Sequence, residues 1–190
     1  MLGDSISAAY GMSLEQGWVA LLAGRVAENH PQYTIVNASI SGDTTGNGLR
    51  RIDRALRIHQ PDIVIIELGG NDGLRGYPVD LMEQNLDAMI RAAQNTGSMV
   101  VLAGIQIPPN YGEQYAGDFA AVYPRLAERY DLLLIPFFLK NVALNPDMMQ
   151  ADGIHPNKRA QPLLMDNVWR TLGPALAEKS SQANTAAIED

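Results

Sequence analysis

The sequence has no cysteine, so disulfides, cysteine-based zinc sites and a thiol nucleophile are all excluded. It has no apolar run approaching the ~18 residues that cross a bilayer, and stable membrane insertion is not expected. It has no lysine–arginine cluster: 14 basic residues stand against 21 acidic ones, for a net charge of −7. Neutralising phosphates needs a basic face, so neither nucleic acid nor an anionic lipid surface is an expected partner. Met1 is followed at once by Leu2, Gly3 and Asp4, so no signal peptide is expected within these residues. Neither G-x-G-x-x-G nor G-x-x-x-x-G-K-[ST] occurs, which disfavours a phosphate-binding module. No two histidines have metal-ligand spacing, which disfavours a metallohydrolase. No metal and no cofactor are expected.

What is present fits one globular domain. The 190 residues are 46% apolar and 18% charged, enough to bury a sizeable core. The domain is expected over residues 1–179, with a small, polar, flexible tail over 180–190. Short β-rich runs alternate with amphipathic stretches. Thr34-Ile35-Val36, Asp62 to Leu68, Met99 to Ala103 and Leu132 to Ile135 read as strands. Helical faces are carried by Trp18, Leu21, Leu22 and Val26, and by Leu49, Ile52 and Leu56. A third helix starts near Pro78, a fourth carries Phe119, Val122, Leu126 and Tyr130, and a last one starts near Gln161. Gly173-Pro174 is expected to break or bend that last helix. Such alternation predicts an α/β fold with a parallel sheet covered on both faces. Ligands then bind beyond the carboxyl ends of the strands.

Four segments fall at that rim. They are Gly3-Asp4-Ser5, Ser41-Gly42-Asp43, Gly69-Gly70-Asn71-Asp72 and Asp152-Gly153-Ile154-His155-Pro156. Each alone has a plain reading as a turn or a helix cap. Together they match the parts list of acyl transfer. A serine hydroxyl needs a base to take its proton, and His155 is the histidine with an acidic partner close by in a loop. His30 and His59 have none and read as surface residues. Asp152, three residues before His155 with Gly153 between, can turn its carboxylate onto the imidazole and fix the tautomer. The developing oxyanion needs donors, which the backbone N–H groups of Ser5 and Gly42 and the side-chain amide of Asn71 can supply. The G-x-S-x-G elbow of α/β-hydrolases is missing.

These blocks resemble those of the SGNH (GDSL) hydrolases, and more narrowly the bacterial thioesterase I/protease I/lysophospholipase L1 arylesterase group. The resemblance runs from Leu2 to about Leu172, and Pro108-Pro109-Asn110-Tyr111-Gly112 matches a loop of the narrower group. It implies a flavodoxin-like three-layer sandwich with strand order 2-1-3-4-5 and no cofactor. It implies a serine hydrolase of carboxylic esters and thioesters, with Ser5, Asp152 and His155 as catalytic triad. Ser5, Gly42 and Asn71 would form the oxyanion hole. Asp4, Leu74, Tyr77, Ile107, Pro108 and Tyr111 are the expected substrate-binding residues, the loops around them favouring short to medium acyl chains. Small-molecule acyl esters or thioesters are the expected partners, and export to the periplasm is often found in the group. Carbohydrate or other small-acyl deacetylation on the same triad is the alternative.

Two departures stand out. Ala9 occupies a position where the family commonly has glycine. The first strand is truncated, with only Met1 and Leu2 before Gly3. In a 2-1-3-4-5 sheet that strand is central, so a slot with unpaired backbone groups is expected beside it. The slot would be closed by a shift of neighbouring strands, filled from another subunit in a homo-oligomer, or filled by residues upstream of Met1.

Overall fold

A computed structural model describes residues 1–189, with side chains through Ser181. Four parallel strands form one sheet in the order β1-β2-β3-β4: β1 Leu2–Gly3, β2 Ile63–Glu67, β3 Met99–Ala103 and β4 Leu133–Ile135. Helices α1 (Trp18–Asn29), α2 (Thr45–His59), α3 (Gly70–Leu74), α4 (Val79–Asn95), α5 (Glu113–Tyr130) and α6 (Gln161–Glu189) connect and cover it. The expected α/β sandwich is therefore present.

The side-chain period of two divides the strands between two cores. Val64 and Ile66 of β2 and Val100 and Leu102 of β3 face α2, α4 and α5, packing on Ile52, Met89 and Phe119. Ile65, Val101 and Ile135 face α1 and α6, packing on Leu22, Val26 and Val168. Strands buried on both faces must be apolar throughout, which is why these runs show no polar alternation.

The strand expected at Thr34–Val36 is not formed. Residues 36–40 instead run along the free edge of β1 as a short irregular ladder. The Met1 amino group donates to Val36 O at 2.8 Å, Ala38 N to Met1 O at 2.9 Å and Ile40 N to Gly3 O at 3.0 Å. The physical reason is that β1 has too few residues to pair with Thr34 and Ile35. The order 2-1-3-4-5 thus reduces to four strands in chain order.

The slot is real. β1 pairs only with Ile66 and Glu67, which leaves Ile63 to Ile65 without a partner on that side. A cavity of about 240 Å³ opens there, lined by Met1, Tyr33, Ile35, Ile63, Ile65 and Leu172 among others. The Met1 ammonium closes its end, and burial followed by the field of Arg51 lowers its pKa to about 6. Neighbouring strands have not moved to seal the gap.

The last helix also differs from expectation. α6 passes through Gly173 and Pro174 unbroken and runs to Glu189. Pro174 removes one N–H from the helix ladder. Leu172, Ala175 and Leu176 are buried on either side of it, so packing holds both halves in line.

Three apolar residues added before Met1 should enter the slot as strand, given a rise of ~3.3 Å per residue. Their burial should raise the melting temperature by roughly 3–8 °C. Calorimetry of the extended and parent chains checks this, and an unchanged melting temperature would rule the insertion out.

Candidate active site

Ser5 lies in a turn immediately after β1. The turn is closed by Ala8 N donating to Asp4 O at 2.9 Å and Tyr10 N to Ser5 O at 3.0 Å. It needs a left-handed residue at position 9, and Ala9 has φ of +56°. This explains why glycine suits the position.

His155 stands opposite, on the loop before α6. Its Nε2 is 2.9 Å from Ser5 Oγ, and its Nδ1 is 2.7 Å from Asp152 Oδ2. Gly153 has φ of +67°, which lets the loop turn back sharply. Asp152 Oδ1 accepts the backbone N–H groups of Ile154 at 2.9 Å and His155 at 3.0 Å. These bonds, the one from the His155 backbone first, hold the Asp152 carboxyl down to about 2. Asp152 is therefore ionised at neutral pH.

Two residues that sequence reasoning missed steady this loop. The Tyr10 ring packs on the imidazole with centroids 4.3 Å apart. Gln150 Nε2 donates to Tyr10 O at 2.8 Å, and Gln150 N donates to His155 O at 2.8 Å, tying the nucleophile turn to the histidine loop. A lone exposed tyrosine and a loop glutamine carry no sequence signal for such a role.

The proposed oxyanion donors converge from separate elements. Gly42 precedes α2 and has φ of +83°; a side chain there would meet open space but a strained backbone. Among the described residues, neither Ser5 N–H nor Gly42 N–H has an acceptor. Asn71 lies in the first turn of α3, just past β2. Its Nδ2 donates to Asp43 O at 3.0 Å and to Asp4 Oδ2 at 3.2 Å. Asp43 is fixed in turn by Arg51 Nε at 2.6 Å. Asp72 accepts from Thr45 N at 2.8 Å and Thr45 Oγ1 at 2.6 Å, anchoring α3 to the start of α2. Gly69 allows this approach: at φ of +123°, a Cβ there would stand 2.2 Å from the Tyr123 hydroxyl.

The expected substrate-binding residues divide. Tyr77 and Tyr111 are each 40% exposed, Pro108 is exposed and Leu74 is half-buried, so all four can line an acyl site. Tyr115 Oη donates to Tyr77 O at 2.7 Å and holds that loop against α5. The other two are buried. Ile107 is buried in the core beneath Gly73, because the α3–α5 junction needs an apolar plug there. Asp4 is buried behind Ser5, where its carboxylate accepts from Asn71 Nδ2 and from Ile6 N. The 240 Å³ cavity lies at the other end of the sheet and contains none of the triad residues. His30 and His59 are remote from the triad contacts; His30 packs on Trp169 at 6.0 Å between centroids. Among the described residues, no cluster of three His, Asp or Glu could hold a metal ion, and no helix is long and apolar enough to cross a membrane.

Beneath the site lies Glu67, the last residue of β2, fully buried. Its Oε2 accepts from Ser7 Oγ at 2.7 Å and Asp4 N at 3.4 Å, while Oε1 has no partner among the described residues. Burial first, then the Asp4 charge, pushes the Glu67 carboxyl well above its ordinary range. Burial likewise raises Asp4 to about 6.

A sequence model of the GDSL-like lipase/acylhydrolase family matches residues 1–161. Esterase TesA of Pseudomonas aeruginosa is 52% identical over 176 residues, covering 93% of this chain and 88% of that protein. Thioesterase 1/protease 1/lysophospholipase L1 of Escherichia coli is 44% identical over 180 residues, covering 95% and 85%. The crystal structure of the psychrotrophic esterase EstA from Pseudoalteromonas sp., inhibited by monoethylphosphonate, superposes with a TM-score of 0.88 at 43% identity. It covers 93% of this chain and 96% of that one.

The raised carboxyl of Glu67 makes stability pH-dependent. The native state holds a proton that the unfolded chain releases above its ordinary pKa, so stability is present below that value and falls as pH rises. Glu67→Gln removes the titration. Its melting temperature relative to the parent should therefore climb as pH rises above the ordinary glutamate value of about 4.3. A difference that stays constant above that value would mean Glu67 is ionised in the native protein.

Proposed function

The chain belongs to the GDSL-like lipase/acylhydrolase family, and from that premise we propose that it hydrolyses carboxylic esters and thioesters through an acyl-enzyme on Ser5. The enzyme is a carboxylic ester hydrolase, as its esterase and thioesterase relatives are named. The observation that carries the serine mechanism is the unbroken line Ser5 Oγ, His155, Asp152 at 2.9 and 2.7 Å.

In the reaction His155 Nε2 takes the Ser5 proton as Oγ bonds to the acyl carbon. The carbonyl π electrons move onto oxygen, and the two free backbone N–H groups with the Asn71 amide receive that charge. Asp152 stabilises the imidazolium and keeps Nδ1 protonated. Collapse breaks the bond to the leaving alcohol or thiol, which takes the proton from His155. Water then repeats the sequence, giving up its proton to His155, and releases the acid and free Ser5. Inhibition of the EstA relative by a phosphonate fits a nucleophile that attacks tetrahedral-forming centres. No cofactor enters any step. The exposed loops bearing Tyr77, Pro108 and Tyr111 are the surfaces on which acyl length would be read, and short to medium chains are our expectation. No observation favours deacetylation of carbohydrates over this reading.

Ser5→Ala should abolish turnover of aryl esters and acyl-CoA and prevent labelling by an organophosphate, with the melting temperature little changed. Retained hydrolysis in a pure preparation would sink the assignment. Asn71→Ala should lower kcat by roughly 10²–10³ with KM nearly constant, because a donor to developing charge acts on the transition state. Near-normal kcat would leave Asn71 as a turn residue only. Substitution of Tyr77 or Tyr111 should alter the acyl-chain profile rather than abolish turnover.

A further inference from the structure

An amide nitrogen has two hydrogens, and in Asn71 both are engaged: one on Asp43 O at 3.0 Å, the other on Asp4 Oδ2 at 3.2 Å. An oxyanion can take a hydrogen from Asn71 only by displacing one of these acceptors. Asp43 O is a backbone atom fixed by the α2 entry. Asp4 Oδ2 is the longer contact and belongs to a side chain. The other Asp4 oxygen is held by Ile6 N at 3.0 Å, which locks the carboxylate plane to the nucleophile turn. We propose that Asp4 is a positioning residue for the oxyanion donor: its carboxylate orients the Asn71 amide at rest and yields one hydrogen to the substrate oxygen as charge develops there. This rests on the reading of Asn71 as an oxyanion donor.

The surroundings of Asp4 support the role. Glu67 on β2 lies behind it, and burial with the Asp4 charge favours its protonated form, which spares the buried pair a second negative charge. Asp43, on the loop before α2, adds negative charge nearby but is itself paired with Arg51. Arg51 reaches Gly3 O at 3.2 Å, on the same turn. His155, on the loop before α6, attracts the Asp4 carboxylate when protonated. The imidazolium formed at the transition state thus balances Asp4 at the moment the oxyanion appears. A carboxylate left without that cation would oppose the reaction.

Asp4→Asn keeps the shape but offers one acceptor where two are needed and sets an amide against an amide. In this variant kcat should fall roughly 10-fold to 100-fold with KM within about threefold of the parent. In an Asn71→Ala background the same change should cost less than about threefold, since the donor it positions is absent. An equal loss in both backgrounds, or a KM that rises in step with the fall in kcat, overturns the proposal. If Asn71→Ala alone has normal kcat, the donor reading fails first, and the proposal with it. Should Asp4→Asn not fold, NMR of the His155→Ala protein decides. The Asn71 side-chain amide resonances should titrate near or slightly above the Asp4 value of about 6. Resonances flat from about pH 4 to about pH 8 overturn the proposal.

Discussion

Two rungs of parallel pairing, Leu2 with Ile66 and Gly3 with Glu67, set the position of everything at the rim. Because β1 and β2 end in register, the turn carrying Ser5 and the turn carrying Asn71 leave the sheet side by side. The same register puts Glu67 directly under Asp4, where it can accept from Asp4 N and from Ser7. The residues that follow β1 on its other edge, 36–40, are held by the same two-residue strand and deliver Gly42. A slip of one residue would turn Ser5 and Glu67 to the opposite face.

That arrangement concentrates cost as well as function. Two carboxyl groups lie buried behind the nucleophile, and the nearby arginine, Arg51, is spent on Asp43 and backbone carbonyls. Burial without a cation favours the protonated form, so one proton shared between the two groups is the least costly state. Ala9 at φ of +56° and Gly69 at φ of +123° add local constraints at the same rim. Strained backbone and buried charge are tolerated here because the two apolar cores on either side of the sheet fix the strand ends that carry them.

The open slot at the far end of the sheet sits about one strand length from this chemistry. It leaves Ile63 to Ile65 without partners on one side, yet the register at Ile66 and Glu67 is intact. Pairing at the carboxyl end alone suffices to place the site, because each parallel rung is fixed locally by its own hydrogen bonds.

The sequence by itself determined the α/β class, β2 and β3 almost to the residue, and the three residues that meet as Ser5, His155 and Asp152. Apolar strand runs and helical periodicity are local signals, and Asp152 with His155 is a local spacing, so each survives folding unchanged. Only the tertiary structure decided what depends on distant partners. Thr34–Val36 has a strand's composition but no strand beside it to pair with, and so stays irregular. Pro174 should end a helix, but burial of residues on both sides keeps α6 continuous. Asp4 and Ile107 read as residues open to substrate, and only the packing of β2 and α5 against them shows that both are buried. Glu67 reads as the polar end of a strand, and Tyr10 and Gln150 as loop residues. Their roles arise from contacts across 60 to 145 residues of chain, between groups whose separation in sequence says nothing about their separation in space.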